Sequence, residues 1–203
     1  MIDMFIRGGP VMWPLLITSL VALTVVFERL YFVVQERRRR NPTAVEQLLG
    51  FAQKGDFQAA YEVGKKSRSY VARALTHALE HRDISFSNAL LHASSIELQR
   101  FNRGISLLDT IITLAPLLGL FGTVTGMIRA FSLLGASELG APMAITGGIA
   151  EALIATAFGL VIAMVALLPF NFLNARLEQA RQEIENAAAQ LELMILKFNQ
   201  SAG

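Results

Sequence analysis

Gly147-Gly148-Ile149-Ala150-Glu151-Ala152-Leu153-Ile154-Ala155-Thr156-Ala157-Phe158-Gly159 is the stretch on which the fold turns. It opens an apolar run, and from Ala152 to Phe170 no residue is charged. An acid at the head of such a run is costly against lipid. It is kept where it faces a bundle interior, a partner or a water-filled path. The residues around Glu151 are small, so a second helix can come close to the carboxylate. The pattern points to an ion or proton pathway more than to an enzyme.

The remaining sequence fits a membrane chain. Of its 203 residues 53% are hydrophobic and 17% charged, and the mean hydropathy is +0.46. A soluble domain carries about 25% charged residues. Cysteine is absent, which excludes disulfide and thiol chemistry. The three histidines show no HExxH-like spacing. His77 and His81, one helical turn apart, read as a solvated helix face, and neither a metal site nor a cofactor is expected.

Three runs are long enough to cross a hydrocarbon core of roughly 30 Å. They cover about Val11–Val34, about Gly104–Ile128 with Asp109 inside, and about Ile145–Leu173 with Glu151 inside. Glu28 and Arg29 mark the inner end of the first, with Arg29 expected to snorkel toward lipid headgroups. A basic cluster follows the first run instead of preceding it, unlike a signal peptide.

Charge then sets the orientation. Residues 35–103 hold 12 Lys or Arg, including Arg37-Arg38-Arg39-Arg40, while residues 130–144 hold none. The positive-inside rule gives a periplasmic segment 1–10, a transmembrane helix 11–34 and a cytoplasmic helical region 35–103. A second transmembrane helix 104–130, a short periplasmic loop 131–144, a third transmembrane helix 145–173 and a cytoplasmic C-terminal helix 174–203 complete it. The expected fold class is an all-α membrane protein: three transmembrane helices extended by a cytoplasmic helical domain.

Inside the cytoplasmic region, Asn41-Pro42-Thr43 and Gly55-Asp56 read as helix starts, and Ser69 and Ser85 as further caps. Residues 70–81 and 86–101 are helix-compatible. Leu177, Ala180, Ile184, Ala187, Leu191, Met194 and Phe198 form an a/d seam over three heptads. It can pack on the cytoplasmic helices of its own subunit or on a neighbouring subunit.

Small residues form a stripe in each of the last two spans. The second has Ala115, Gly119, Gly122, Gly126 and Ala130; the third has Ala152, Ala155, Gly159, Ala163 and Ala166. Such stripes permit close helix contact in a bilayer. Pro116 is expected to kink the second span. Thr123 and Thr156 fall at similar depths if the two helices are antiparallel, and Thr110, Thr113 and Thr125 add hydroxyls. A lone membrane threonine usually bonds its own helix, so Glu151 with two threonines at converging depth is the stronger sign of a polar path. Asp109 is either a second path residue or an interfacial acid paired with Arg103.

Three motifs, taken together, resemble a known family. They are Gly8-Gly9-Pro10-Val11-Met12-Trp13-Pro14-Leu15 leading to Phe27-Glu28-Arg29-Leu30, Ala115-Pro116-Leu117-Leu118-Gly119-Leu120-Phe121-Gly122-Thr123-Val124-Thr125-Gly126-Met127, and Gly148 through Thr156. Their order and spacing resemble the MotA/TolQ/ExbB proton channel family, and most of all its ExbB/TolQ branch. The resemblance implies a multi-pass subunit of the bacterial inner membrane with a periplasmic N-terminus and a cytoplasmic C-terminus. It implies a pentameric homo-oligomer whose second and third spans line a pore. An ExbD- or TolR-like single-span partner would sit in that pore, and a TonB- or TolA-like protein would receive the motion. The family's pore threonines fall on Thr123 and Thr156 and its membrane glutamate on Glu151. Membrane lipids are the other expected partner, and nucleic acid is not one.

The residues alone agree on mechanism. A membrane potential supplies about 2.3 kcal/mol per charge per 100 mV, and Glu151 is the chief group here that could alternate between charged and neutral forms. A passive scaffold that assembles a one-span partner without ion flow is the alternative; it explains the small-residue stripes but leaves Glu151 an uncompensated cost. An intramembrane enzyme is not expected, because no span carries a Ser-His, Asp-Asp or His-cluster arrangement.

Overall fold

The computed structural model describes residues 2–134 and 141–202, and the described residues contain helices and no strand. The helices are α1 (Ile2–Arg7), α2 (Met12–Arg39), α3 (Pro42–Gln53), α4 (Phe57–Lys66), α5 (Tyr70–Glu80), α6 (Arg82–Asn102), α7 (Ile105–Leu134) and α8 (Ala141–Ala202). Among the described residues, three helical segments are long and apolar enough to cross a membrane: Met12–Arg39, Ile105–Ser132 and Thr146–Phe198.

Several boundaries differ from the sequence expectation. α7 and α8 both run into the stretch expected as the 131–144 loop, and its residues 135–140 lie outside the described residues. The third span and the C-terminal helix are one helix of 62 residues that continues through Pro169. The helix runs on past Pro169, Asn171 and Asn174 and across the change in polarity. α7 likewise stays helical through Pro116.

Contacts divide the chain into two compact units. The first comprises Met1–Arg29 and Gly104–Phe172. Its core is thin: Val11, Met12, Leu15 and Ala155 form one buried cluster, and Ala22, Ile111 and Ala166 another. Large apolar side chains such as Leu20, Leu117, Phe121, Leu153 and Val161 stay exposed. Water would not tolerate that much apolar surface, whereas lipid or a neighbouring helix covers it without penalty. Arg29 corrects one expectation. Its side chain is buried, bonded to the Glu28 carboxylate, and its methylenes lie against Gly104. Gly104 has φ +80°, a conformation at ease only in glycine, and it separates α6 from α7.

The second unit comprises Leu30–Arg103 and Leu173–Gly203. Asn41 caps α3 by accepting from the Ala44 N–H at 3.2 Å, and Asp56 caps α4 by accepting from the Ala59 N–H at 3.0 Å. Ser69 stands at the cap of α5 without a side-chain cap bond, and Ser85 marks a kink inside α6. Ala180, Ile184, Ala187 and Leu191 of the heptad seam are buried with Leu48, Ala60, Tyr70 and Leu75. The seam therefore packs on helices of its own chain. A polar network lies beside this core: Arg73 donates to both oxygens of buried Glu97 and lies 3.7 Å from buried Glu36.

Candidate functional site: the α7–α8 seam

The two small-residue stripes face each other. A methyl placed on Gly159 would lie 2.5 Å from the Ala115 carbonyl oxygen, and one on Gly119 would lie 3.0 Å from Thr156 Cα. One on Gly122 would lie 2.5 Å from Ala155 Cβ, and one on Gly126 would lie 3.1 Å from Ala152 Cβ. Gly148 continues the row against Ala130. α7 and α8 are thus antiparallel and nearly in backbone contact, the approach that glycine and alanine allow in a bilayer.

This register sets the hydroxyls. Thr156 lies opposite Gly119, and Thr123 stands four residues further along α7, about one helical turn away along the seam. Both are half-buried. Thr156 donates to the Gly119 carbonyl of α7 at 2.9 Å, a bond between helices. Thr123 donates to Leu120 of its own helix at 2.6 Å, and Thr110, Thr113 and Thr125 also turn back onto α7 carbonyls. Of these five, only Thr156 departs from the self-bonding habit of membrane threonines.

Glu151 sits higher on the same seam, toward the α7–α8 connection. Its Oε1 accepts from Arg129 Nη1 at 3.0 Å. The Glu151 side chain is 22% exposed and that of Arg129 51%. The turn between α1 and α2 closes over the acid. Gly9 has φ +72°, and a methyl there would overlap the Glu151 carboxylate. The positive φ favours glycine at position 9, and a larger residue there would also push the Glu151 side chain aside. Asp109 stands apart, exposed near the start of α7, and among the described residues it makes no ion pair with Arg103.

The structure therefore gathers Glu151, Thr156, Gly119, Gly122, Gly126, Ala155 and Gly159 on one seam, sets Thr123 next to Gly122 on α7 with its hydroxyl turned back onto that helix, and leaves Asp109 apart. Sequence reading missed Arg129 and Gly9. Arg129 carried a signal: it is the sole Lys or Arg between residues 104 and 175, and so a natural partner for the lone acid of the next span. Gly9 carried none, because its closeness to Glu151 is tertiary. No group of three His, Cys, Asp or Glu placed to hold a metal ion occurs among the described residues.

The model of the MotA/TolQ/ExbB proton channel family matches residues 64–186, which include Thr123, Arg129, Glu151 and Thr156. The chain belongs to this family. It is similar to the biopolymer transport protein ExbB-like 1 of Synechocystis, with 39% identity covering 96% of this chain and 78% of that protein. ExbB-like 3 of the same organism is 34% identical over 95% of this chain and 93% of its own length. ExbB of Neisseria gonorrhoeae is 34% identical over 71% of this chain and 65% of its own length. Family membership and three apolar helices make the chain a multi-pass inner-membrane protein of the ExbB/TolQ-like kind. Proteins of the ExbB/TolQ kind are channel and transport-energising proteins, not enzymes.

Proposed function

We propose that the chain is the proton-channel subunit of an inner-membrane motor. In this reading proton-motive force drives a TonB- or Tol-type process at the outer membrane. The observation that carries the reading is the α7–α8 seam: two half-buried threonines about one helical turn apart and a carboxylate beyond them, where small residues bring the two helices together. Threonine hydroxyls cannot change charge near neutral pH, but they donate and accept hydrogen bonds and hold water. A carboxyl carrier has to pass them.

Copies of the chain form a pentameric ring in which α7 and α8 line the pore. A single-span ExbD- or TolR-like protein stands in that pore and brings its own membrane acid to the level of Thr123 and Thr156. A ring of identical helices leaves a central hole, and a partner helix keeps it from leaking. The second unit, with its basic stretch Arg37–Arg40, faces the cytoplasm and the N-terminus the periplasm. A TonB- or TolA-like protein takes up the motion.

The passive-scaffold reading has one observation in its favour. Thr156 and Glu151 both find partners inside the chain, so neither requires an ion path to account for it. Proton uptake by vesicles separates the two readings. With the one-span partner present, a potential should drive uptake that the chain alone does not show. Vesicles that stay proton-tight with the partner present would leave only the scaffold.

A further inference from the structure

Arg129 and Glu151 are 22 residues apart in sequence and lie on different helices, yet guanidinium and carboxylate meet at 3.0 Å. No other Lys or Arg occurs between residues 104 and 175. The contact does not arise from a crowd of surface charges. It joins the only cation of this segment to the acid that heads the third span. Gly9 also stands against that carboxylate: a methyl on it would overlap the same Oε1 that Arg129 holds.

We propose that Arg129 is the positioning residue of Glu151 and acts as a latch. It draws the carboxylate across the seam and seats it against the Gly9 turn, and Glu151 exchanges a proton only after Arg129 lets go. Three separate pieces of chain meet in this arrangement: the α1–α2 turn, the end of α7 and the start of α8. Opening the latch therefore frees the carboxylate and loosens the grip of the α1–α2 turn in one event. The Arg129 side chain is 51% exposed, so it can swing away from the carboxylate. Its role in proton exchange rests on the proposed reading of Glu151 as a path residue; the seating of the carboxylate does not.

The test is labelling of position 151 by dicyclohexylcarbodiimide, read by mass spectrometry on the assembled complex in liposomes. A carboxyl released from its ion pair reacts with this reagent, and one held in the pair is protected. Arg129→Gln should be labelled about fivefold faster than the wild type, the change expected for loss of one moderately exposed ion pair. Arg129→Lys, which keeps the charge, should return the rate close to the wild-type value. A merely structural arginine would show no such rescue by charge. Glu151→Asp shortens the side chain by one methylene and leaves Arg129 in place, so it tests the contact if Arg129→Gln does not assemble. It too should be labelled faster. Equal rates in the wild type and whichever of these two variants assembles would overturn the latch. Proton flux is read on the same samples. Normal flux in Glu151→Gln would sink the path reading and leave the labelling result standing, so the two failures are distinct.

Discussion

The Thr156 hydroxyl donates to the Gly119 carbonyl 2.9 Å away, whereas Thr123, one helical turn along α7 from Gly119, donates to Leu120 within its own helix. The two hydroxyls look alike in sequence and hold different places in the structure. Thr156→Val removes a bond between helices and should cost about 1 kcal/mol of stability, seen as a lower melting temperature of the solubilised protein. Thr123→Val removes a bond inside one helix. It should leave the melting temperature unchanged and lower proton flux in liposomes. A flux loss in Thr156→Val alone would place the path on α8.

The seam predicts opposite signs for two glycines of one helix. A methyl on Gly159 meets the Ala115 carbonyl oxygen at 2.5 Å and Gly119 Cα at 3.1 Å, both of them backbone. The helices must part, so Gly159→Ala should destabilise by about 1–3 kcal/mol. Gly147 has nothing within 4 Å of the same methyl. Gly147→Ala should gain up to about 1 kcal/mol from helix propensity. Thermal unfolding of the two variants should shift in opposite directions.

Glu151→Gln and Glu151→Ala should both insert and assemble and yet lose energised transport, because a group that changes charge is gone. Assembly is read by size-exclusion chromatography and activity by proton uptake. Normal uptake in Glu151→Gln would show that titration at this position is unnecessary.

Tyr70 gives the second unit a pH signature. It is buried and donates to the Glu183 carboxylate; burial, then that hydrogen bond, pushes its pKa well above the ordinary tyrosine value. A raised folded pKa contributes stability that is complete below the unfolded value of about 10. That stability is lost as pH rises from there through the folded value. Melting temperatures measured at increasing alkaline pH should fall more steeply in the wild type than in Tyr70→Phe. Parallel curves would mean that another group governs the alkaline limb.

How far the sequence was legible varies by residue, for physical reasons. The heptad positions Ala180, Ile184, Ala187 and Leu191 announced a buried face, because apolar spacing along a helix is local. What the face packs on was open until the structure set it against Leu48 and Tyr70 of the same chain. Arg29 was read as reaching for headgroups, since its neighbours in sequence do not show that Glu28 and Gly104 take it up instead. Asp109 carries the same charge as Glu151, but it lies off the seam.

By itself the sequence determined that the chain is helical, that three segments can cross a membrane, and that α7 and α8 carry matching rows of small residues. These are properties of spacing and hydropathy, which act over a few turns of one helix. Only the tertiary structure decided the register: Gly122 on Ala155, Thr156 on Gly119, and Arg129 with Gly9 around Glu151. Register depends on how closely two backbones can approach. That is settled where a carbonyl oxygen or a methyl group fills the space a glycine leaves, and no single helix carries that information.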